Sequence, residues 1–112
     1  LPRIIGMQKA TALMMLADKV MATEAEKMGM IYKVCPDESL LEETLKVAKK
    51  LASLPTIGLG LTKRALNKSL TNNLTAQLAL EDELQTAAGK TYDYNEGVTA
   101  FLEKRKPNFK GK

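Results

Sequence analysis

Histidine and tryptophan are absent from this 112-residue chain, and cysteine occurs once. Without histidine there is no Ser-His or Cys-His nucleophile pair and no imidazole to bind a metal. No metal ligands are therefore expected. The lone Cys35 excludes an internal disulfide and fits a reducing compartment; within the apolar run IYKVCP it reads as a core residue. No apolar run approaches the ~20 residues that span a bilayer, so no membrane association is expected. There is no long apolar segment of the kind that marks a signal peptide. The chain opens on Leu1 rather than methionine, which leads us to expect a piece of a longer chain.

What is present is ordinary for a globular domain. The sequence is 45% hydrophobic and 27% charged, enough for one packed core. A formal charge of +4 permits a phosphate-bearing ligand without requiring one. Nucleic acid is not an expected partner, because basic and aromatic residues are not combined on a recognition element.

Helical signals run nearly end to end. Residues 7–17, MQKATALMMLA, are strong helix formers with apolar neighbours, and a buried helix is expected there. In MATEAEKMGM, Thr23 and Glu26 have capping-box spacing, and Gly29 is suited to a left-handed helix stop. Ile31 to Cys35 alternates and reads as a short extended segment. After Pro36-Asp37, the residues Leu40, Leu41, Thr44, Leu45, Ala48, Leu51 and Ala52 fall on one helical stripe. Glu42 faces Lys46 at i,i+4 on its polar side. Pro55 suits the first turn of the next helix, whose apolar positions (Ile57, Leu59, Leu61, Ala65, Leu66, Leu70) cover so wide an arc that neighbours are expected on more than one side. Thr71-Asn72-Asn73 reads as a turn and cap. A helix from Leu74 to about Ala88 follows, closed by Gly89. Asp93 and Glu96 again have capping-box spacing, opening a last helix to about Arg105 before Pro107. The sum is an all-α bundle of five to six helices with one short extended segment.

The final stretch, TYDYNEGVTAFLEKRKPNFKGK, stands apart. It holds Tyr92, Tyr94, Phe101 and Phe109 of a chain with three tyrosines and two phenylalanines. Gly97 within a helix costs about 1 kcal/mol against alanine, which is tolerated where something approaches the backbone closely. At spacings i, i+4 and i+7, Gly97, Phe101 and Lys104 share a face if the helix continues. On residue chemistry alone, Phe101 is a core side chain and Lys104 a solvated helix-end lysine favoured by the macrodipole.

Three stretches in register resemble the crotonase superfamily, the enoyl-CoA hydratase/isomerase family. They are LPRIIG followed by Ala22 to Glu26, Gly29, Ile31 and Val34; then Leu61 to Asn67; then Glu96 to Pro107 with Phe109. The resemblance covers essentially the whole chain. It implies the C-terminal helical domain of an enzyme at least twice as long. Residues 1–36 would lead out of a catalytic core that is not in this chain, and 37–112 would form a trimerisation and cover region. That core carries the oxyanion hole and the proton-moving acids, so no residue here is expected to be catalytic. Glu24, Glu26, Glu42, Glu43, Glu81, Asp82 and Glu83 read as solvated.

The resemblance further implies a coenzyme A thioester as the parent's substrate, processed through an enolate, with no covalently bound cofactor. Phe101 would wall the acyl or pantetheine channel, and Lys104 would pair with the phosphate of the adenosine end, often across subunits of a trimer or dimer of trimers. The cytoplasm or the mitochondrial matrix would be its compartment. Similar hydratases can carry a second aromatic where this chain has Gln85, and Lys63 and Arg64 could extend a basic rim. Asp93 to Gly97 looks like isomerases of aromatic-acid degradation. The chain alone is expected to be inactive. The competing expectation is a free-standing helical interaction module without ligand.

Overall fold

The computed structural model describes all residues 1–112. Helix α1 spans Pro2–Ile5, α2 Met7–Leu16 and α3 Ala22–Lys27. A 3-10 turn at Asp37–Ser39 leads into α4, Leu40–Ala52; α5 spans Thr56–Ser69, α6 Leu74–Gly89 and α7 Tyr92–Leu102. The all-α class holds, and no strand forms; Ile31 to Cys35 is an irregular connection. The helices number seven rather than five to six, because LPRIIG makes a short helix of its own. Pro2 supplies the fixed φ of a first turn, and Gly6, at φ +83, breaks the chain before α2.

The chain forms two compact units, Leu1–Glu43 and Thr44–Lys112. In the first, α1 packs on α2, and Ile5, Ala10 and Ala25 are the buried apolar residues. The expected burial of α2 does not occur. Met14, Met15 and Leu16 are exposed, Met15 to 80%. The helix that packs on it, α1, has four residues and is too short to cover ten.

Helix α3 also starts differently from expectation. Its N-cap is Met21, and Glu24, not Glu26, reaches back to accept from the Met21 N–H at 3.4 Å. Thr23 lies inside the helix, two residues too late to cap it. Glu26 instead accepts from the Val34 N–H at 3.1 Å and ties down the following connection. The expected stop is present: Gly29 has φ +77, its N–H meets the Glu26 carbonyl, and the Met30 N–H meets the Ala25 carbonyl. That pair of bonds is the Schellman pattern.

In the second unit α5 packs on α6 and α6 on α7. Asn73 caps α6, its side-chain oxygen accepting from the Ala76 N–H at 2.9 Å. Gln77 of α6 donates to the Ala65 carbonyl of α5 at 3.3 Å and fixes the hairpin. Pro55 is the N-cap of α5 rather than its first residue. No residue of α4 or α5 is buried. The apolar stripe of α4 and the second side of α5 therefore lie open, where neighbours were expected. The buried residues of this unit are Leu84, Asp93 and Ala100, and Asp93 is the largest side chain in the chain to be fully buried.

Candidate ligand groove along the last helix

Helix α7 starts at Thr91, whose hydroxyl accepts from the Tyr94 N–H at 3.1 Å. Asp93 and Glu96 do not form the capping box their spacing suggests. They lie one turn apart on α7 and receive the backbone of residues 105–112, which turns back along the helix. Glu96 takes both terminal nitrogens of Arg105, at 2.6 and 3.0 Å, and the Asn108 N–H at 2.7 Å. Asp93 takes the Lys110 N–H at 2.6 Å and the Gly111 N–H at 2.8 Å, while its own N–H donates to the Lys112 carbonyl at 3.1 Å. As residue numbers rise in the tail they fall in the helix, so the tail is a strap running antiparallel to α7. The Arg105 guanidinium, and secondarily the Asn108 N–H, holds the Glu96 carboxyl down to about 2. Glu96 and Glu103 raise Arg105 in turn.

The strap brings Phe109 onto Gly97. A Cβ placed on Gly97 would sit 3.6 Å from Cε1 and 3.9 Å from Cζ of that ring. The close neighbour expected at Gly97 is thus the chain's own tail, at ordinary contact distance. Gly111 is a stricter requirement. It has φ +69, and a Cβ there would fall 2.7 Å from Thr56 Oγ1.

An open apolar cavity of about 420 Å³ is lined by Gly97, Val98, Phe101 and Leu102 of α7, Phe109 of the strap and Pro55 beside α5. Phe101 is 82% exposed at this groove and is not a core residue. Lys104 is exposed too, but it does not continue the face of Gly97 and Phe101. The helix ends at Leu102, and Lys104 takes a left-handed φ of 53. Its N–H meets the Phe101 carbonyl at 3.2 Å, and the Arg105 N–H meets that of Ala100 at 3.0 Å. This repeats the Schellman stop of α3 with lysine in the glycine position. Helical spacing places Lys104 on the groove side only if the helix continues, and the turn directs it off the helix end. Lys104 makes no ion pair within the chain, whereas Arg105 is engaged by two carboxylates. Gln85 lies in a separate groove between α5 and α6, of about 840 Å³, with Thr62, Leu66 and Glu81. No helix is long and apolar enough to cross a membrane.

A helical domain with an open groove along its last helix matches the enoyl-CoA hydratase/isomerase family model over residues 1–112, and the chain belongs to that family. It is 46% identical, over its full length, to 43% of the 1,2-epoxyphenylacetyl-CoA isomerase of Escherichia coli strain K12. It is 36% identical, over 98% of its length, to 38% of the mitochondrial enoyl-CoA hydratase of Pongo abelii. The crystal structure of an enoyl-CoA hydratase from Bacillus anthracis superposes on 99% of this chain with a TM-score of 0.92 and 33% identity, the match covering 43% of that enzyme. The chain thus spans less than half the length of these relatives, and it matches their helical part.

Proposed function

We propose that this chain is the C-terminal part of an enzyme that acts on acyl-CoA thioesters through an enolate, and that it contributes cover for the CoA site and an assembly surface. The observation that carries this reading is the exposed Phe101 at an open apolar groove, next to a turn that projects an unpaired lysine. An apolar wall beside a mobile cation suits a ligand with an apolar arm and a phosphate. Lys104 is the phosphate partner and Phe101 the channel wall. The oxyanion donors and the acid–base groups belong to the remaining length of the enzyme, where fixed dipoles would stabilise the developing enolate.

The exposed faces of α2, α4 and α5 are consistent with cover by the rest of the enzyme or by further subunits, in a trimer or a dimer of trimers. The cytoplasm or the mitochondrial matrix is the proposed compartment, in keeping with the mitochondrial relative from Pongo abelii.

The test compares coenzyme A with its 3′-dephospho form on the full-length protein by calorimetry. Wild type is expected to bind coenzyme A about tenfold more tightly, the worth of one charge-assisted phosphate contact. Lys104→Ala is expected to erase that difference. If the variant discriminates as well as wild type, the phosphate is held elsewhere and the role of Lys104 is wrong.

A further inference from the structure

We propose that Asp93 is a positioning residue acting through Phe109: by latching the strap onto α7 it seats the Phe109 ring as one wall of the apolar groove, and so sets the groove's preference for the apolar acyl portion of a thioester. The proposal rests on the CoA-thioester reading above.

The largest fully buried side chain is a carboxylate, Asp93, at 1% exposure. Burying a charged group is unfavourable unless its oxygens are fully hydrogen-bonded. No cation does this for Asp93. Both partners are backbone N–H groups, those of Lys110 and Gly111, one to each oxygen. What such a carboxylate fixes is the path of the chain. At its far end Gly111 takes a left-handed φ of 69 and lies against Thr56, where a Cβ would fall 2.7 Å from Oγ1. Glu96 anchors the near end through Arg105 and Asn108. Phe109 lies between the anchors, over the bare backbone of Gly97.

The groove therefore has walls of different origin. Val98 and Phe101 are held by helix α7 itself. Phe109 is held by the strap, and the strap chiefly by the acid pair, with the Lys112 carbonyl on the Asp93 N–H and Lys110 over the Tyr92 ring at its far end. Asp93 also lines the same cavity. The occupant follows from charge and polarity. The lining is apolar, and Lys104 and Lys106, in the turn that leads into the strap, make no ion pair with the chain's carboxylates. An apolar chain attached to a polyanionic head fits that pairing, and an uncharged lipid or an apolar peptide does not.

The test measures the full-length protein with coenzyme A and with hexanoyl-CoA, which is saturated and does not turn over. Wild type is expected to prefer hexanoyl-CoA. Phe109→Ala, which leaves both anchors in place, is expected to cut that preference about tenfold, the scale of apolar pocket contacts. Asp93→Asn is expected to cut it by a similar factor, because the amide turns a donor toward one of the two N–H groups. Fluorine-labelled phenylalanine gives a second readout. The Phe109 signal, assigned by its loss in Phe109→Leu, should shift with hexanoyl-CoA in wild type and not in Asp93→Asn. A merely structural Asp93 would lower the melting temperature and leave the preference intact, which overturns the proposal. An unchanged preference in Phe109→Ala overturns it as well, with the CoA reading still standing. If wild type binds neither ligand, that reading falls together with this one.

Discussion

Helices α2 and α7 are nearly equal in length, ten and eleven residues, and both carry large apolar side chains. Their surroundings within the chain are opposite. In α2 only Ala10 is buried, and the methionines face outward. In α7 Asp93 and Ala100 are buried, and a strap of the same chain lies along the helix. The apolar content is similar, so hydrophobicity does not decide which helix is covered. What differs is a pair of carboxylates placed to receive a returning backbone. One helix is left open by the rest of the chain, and the other is covered on one side by the chain's own tail.

The contrast can be broken most severely at Asp93. Asp93→Ala leaves the Lys110 and Gly111 N–H groups without their charged acceptor and should destabilise the chain by about 3 kcal/mol. Urea unfolding measures this. The amides of Lys110 and Gly111 should lose their protection from hydrogen exchange at the same time. A loss below about 0.5 kcal/mol, the range of an ordinary surface change, would mean the strap is held by something other than Asp93.

Acid gives a gentler version of the same experiment. The folded-state pKa of Glu96 is depressed to about 2 from an ordinary 4.5. Its contribution to stability is therefore complete above the ordinary carboxylate range and is lost as pH falls toward 2. Wild-type melting temperature should drop through that window, and Glu96→Gln should show a flatter profile. Parallel profiles would refute the strap's dependence on the Glu96–Arg105 pair.

The smallest effect is expected in the other region. Met15→Ala in α2 removes a side chain that is 80% exposed and should change stability by less than about 0.5 kcal/mol in this chain. The same substitution in the full-length protein should cost more if the rest of the enzyme covers α2. Equal costs in the two contexts would show that α2 is open in both.

Local rules made much of the helical plan legible. The Gly29 stop, the Asn73 cap and the start of α6 follow from residues a few positions apart, and they are present, whereas Gly89, expected to close α6, lies inside it and Lys90 ends it. The strap was not legible, because its hydrogen bonds join side chains to backbone 12 to 18 positions away. Asp93 and Glu96 are three residues apart, the spacing of a capping box, and nothing local separates a box from two anchors. A signal did exist downstream. Phe109 and Gly111 after Pro107 are more than a free basic tail requires: one supplies an apolar ring, the other a left-handed turn. The exposure of α2, α4 and α5 has a different cause. Periodicity reports which face wants cover, and it says nothing about whether the cover lies in the same chain. At the groove, Phe101 and Lys104 were singled out by resemblance, while the share of Phe109 and Asp93 emerged only from the fold.

The left-handed lysine that ends α7 has one more consequence, for anyone engineering this domain. At position 104 the backbone favours glycine, since a side chain at φ 53 is strained relative to glycine by roughly 1 kcal/mol. The proposed ligand favours a cation. A library screened for heat resistance alone would be drawn toward glycine or asparagine there and would discard the phosphate contact while appearing to improve the protein. Thermal selection and ligand selection pull on this one residue in opposite directions, and the two screens should be run together.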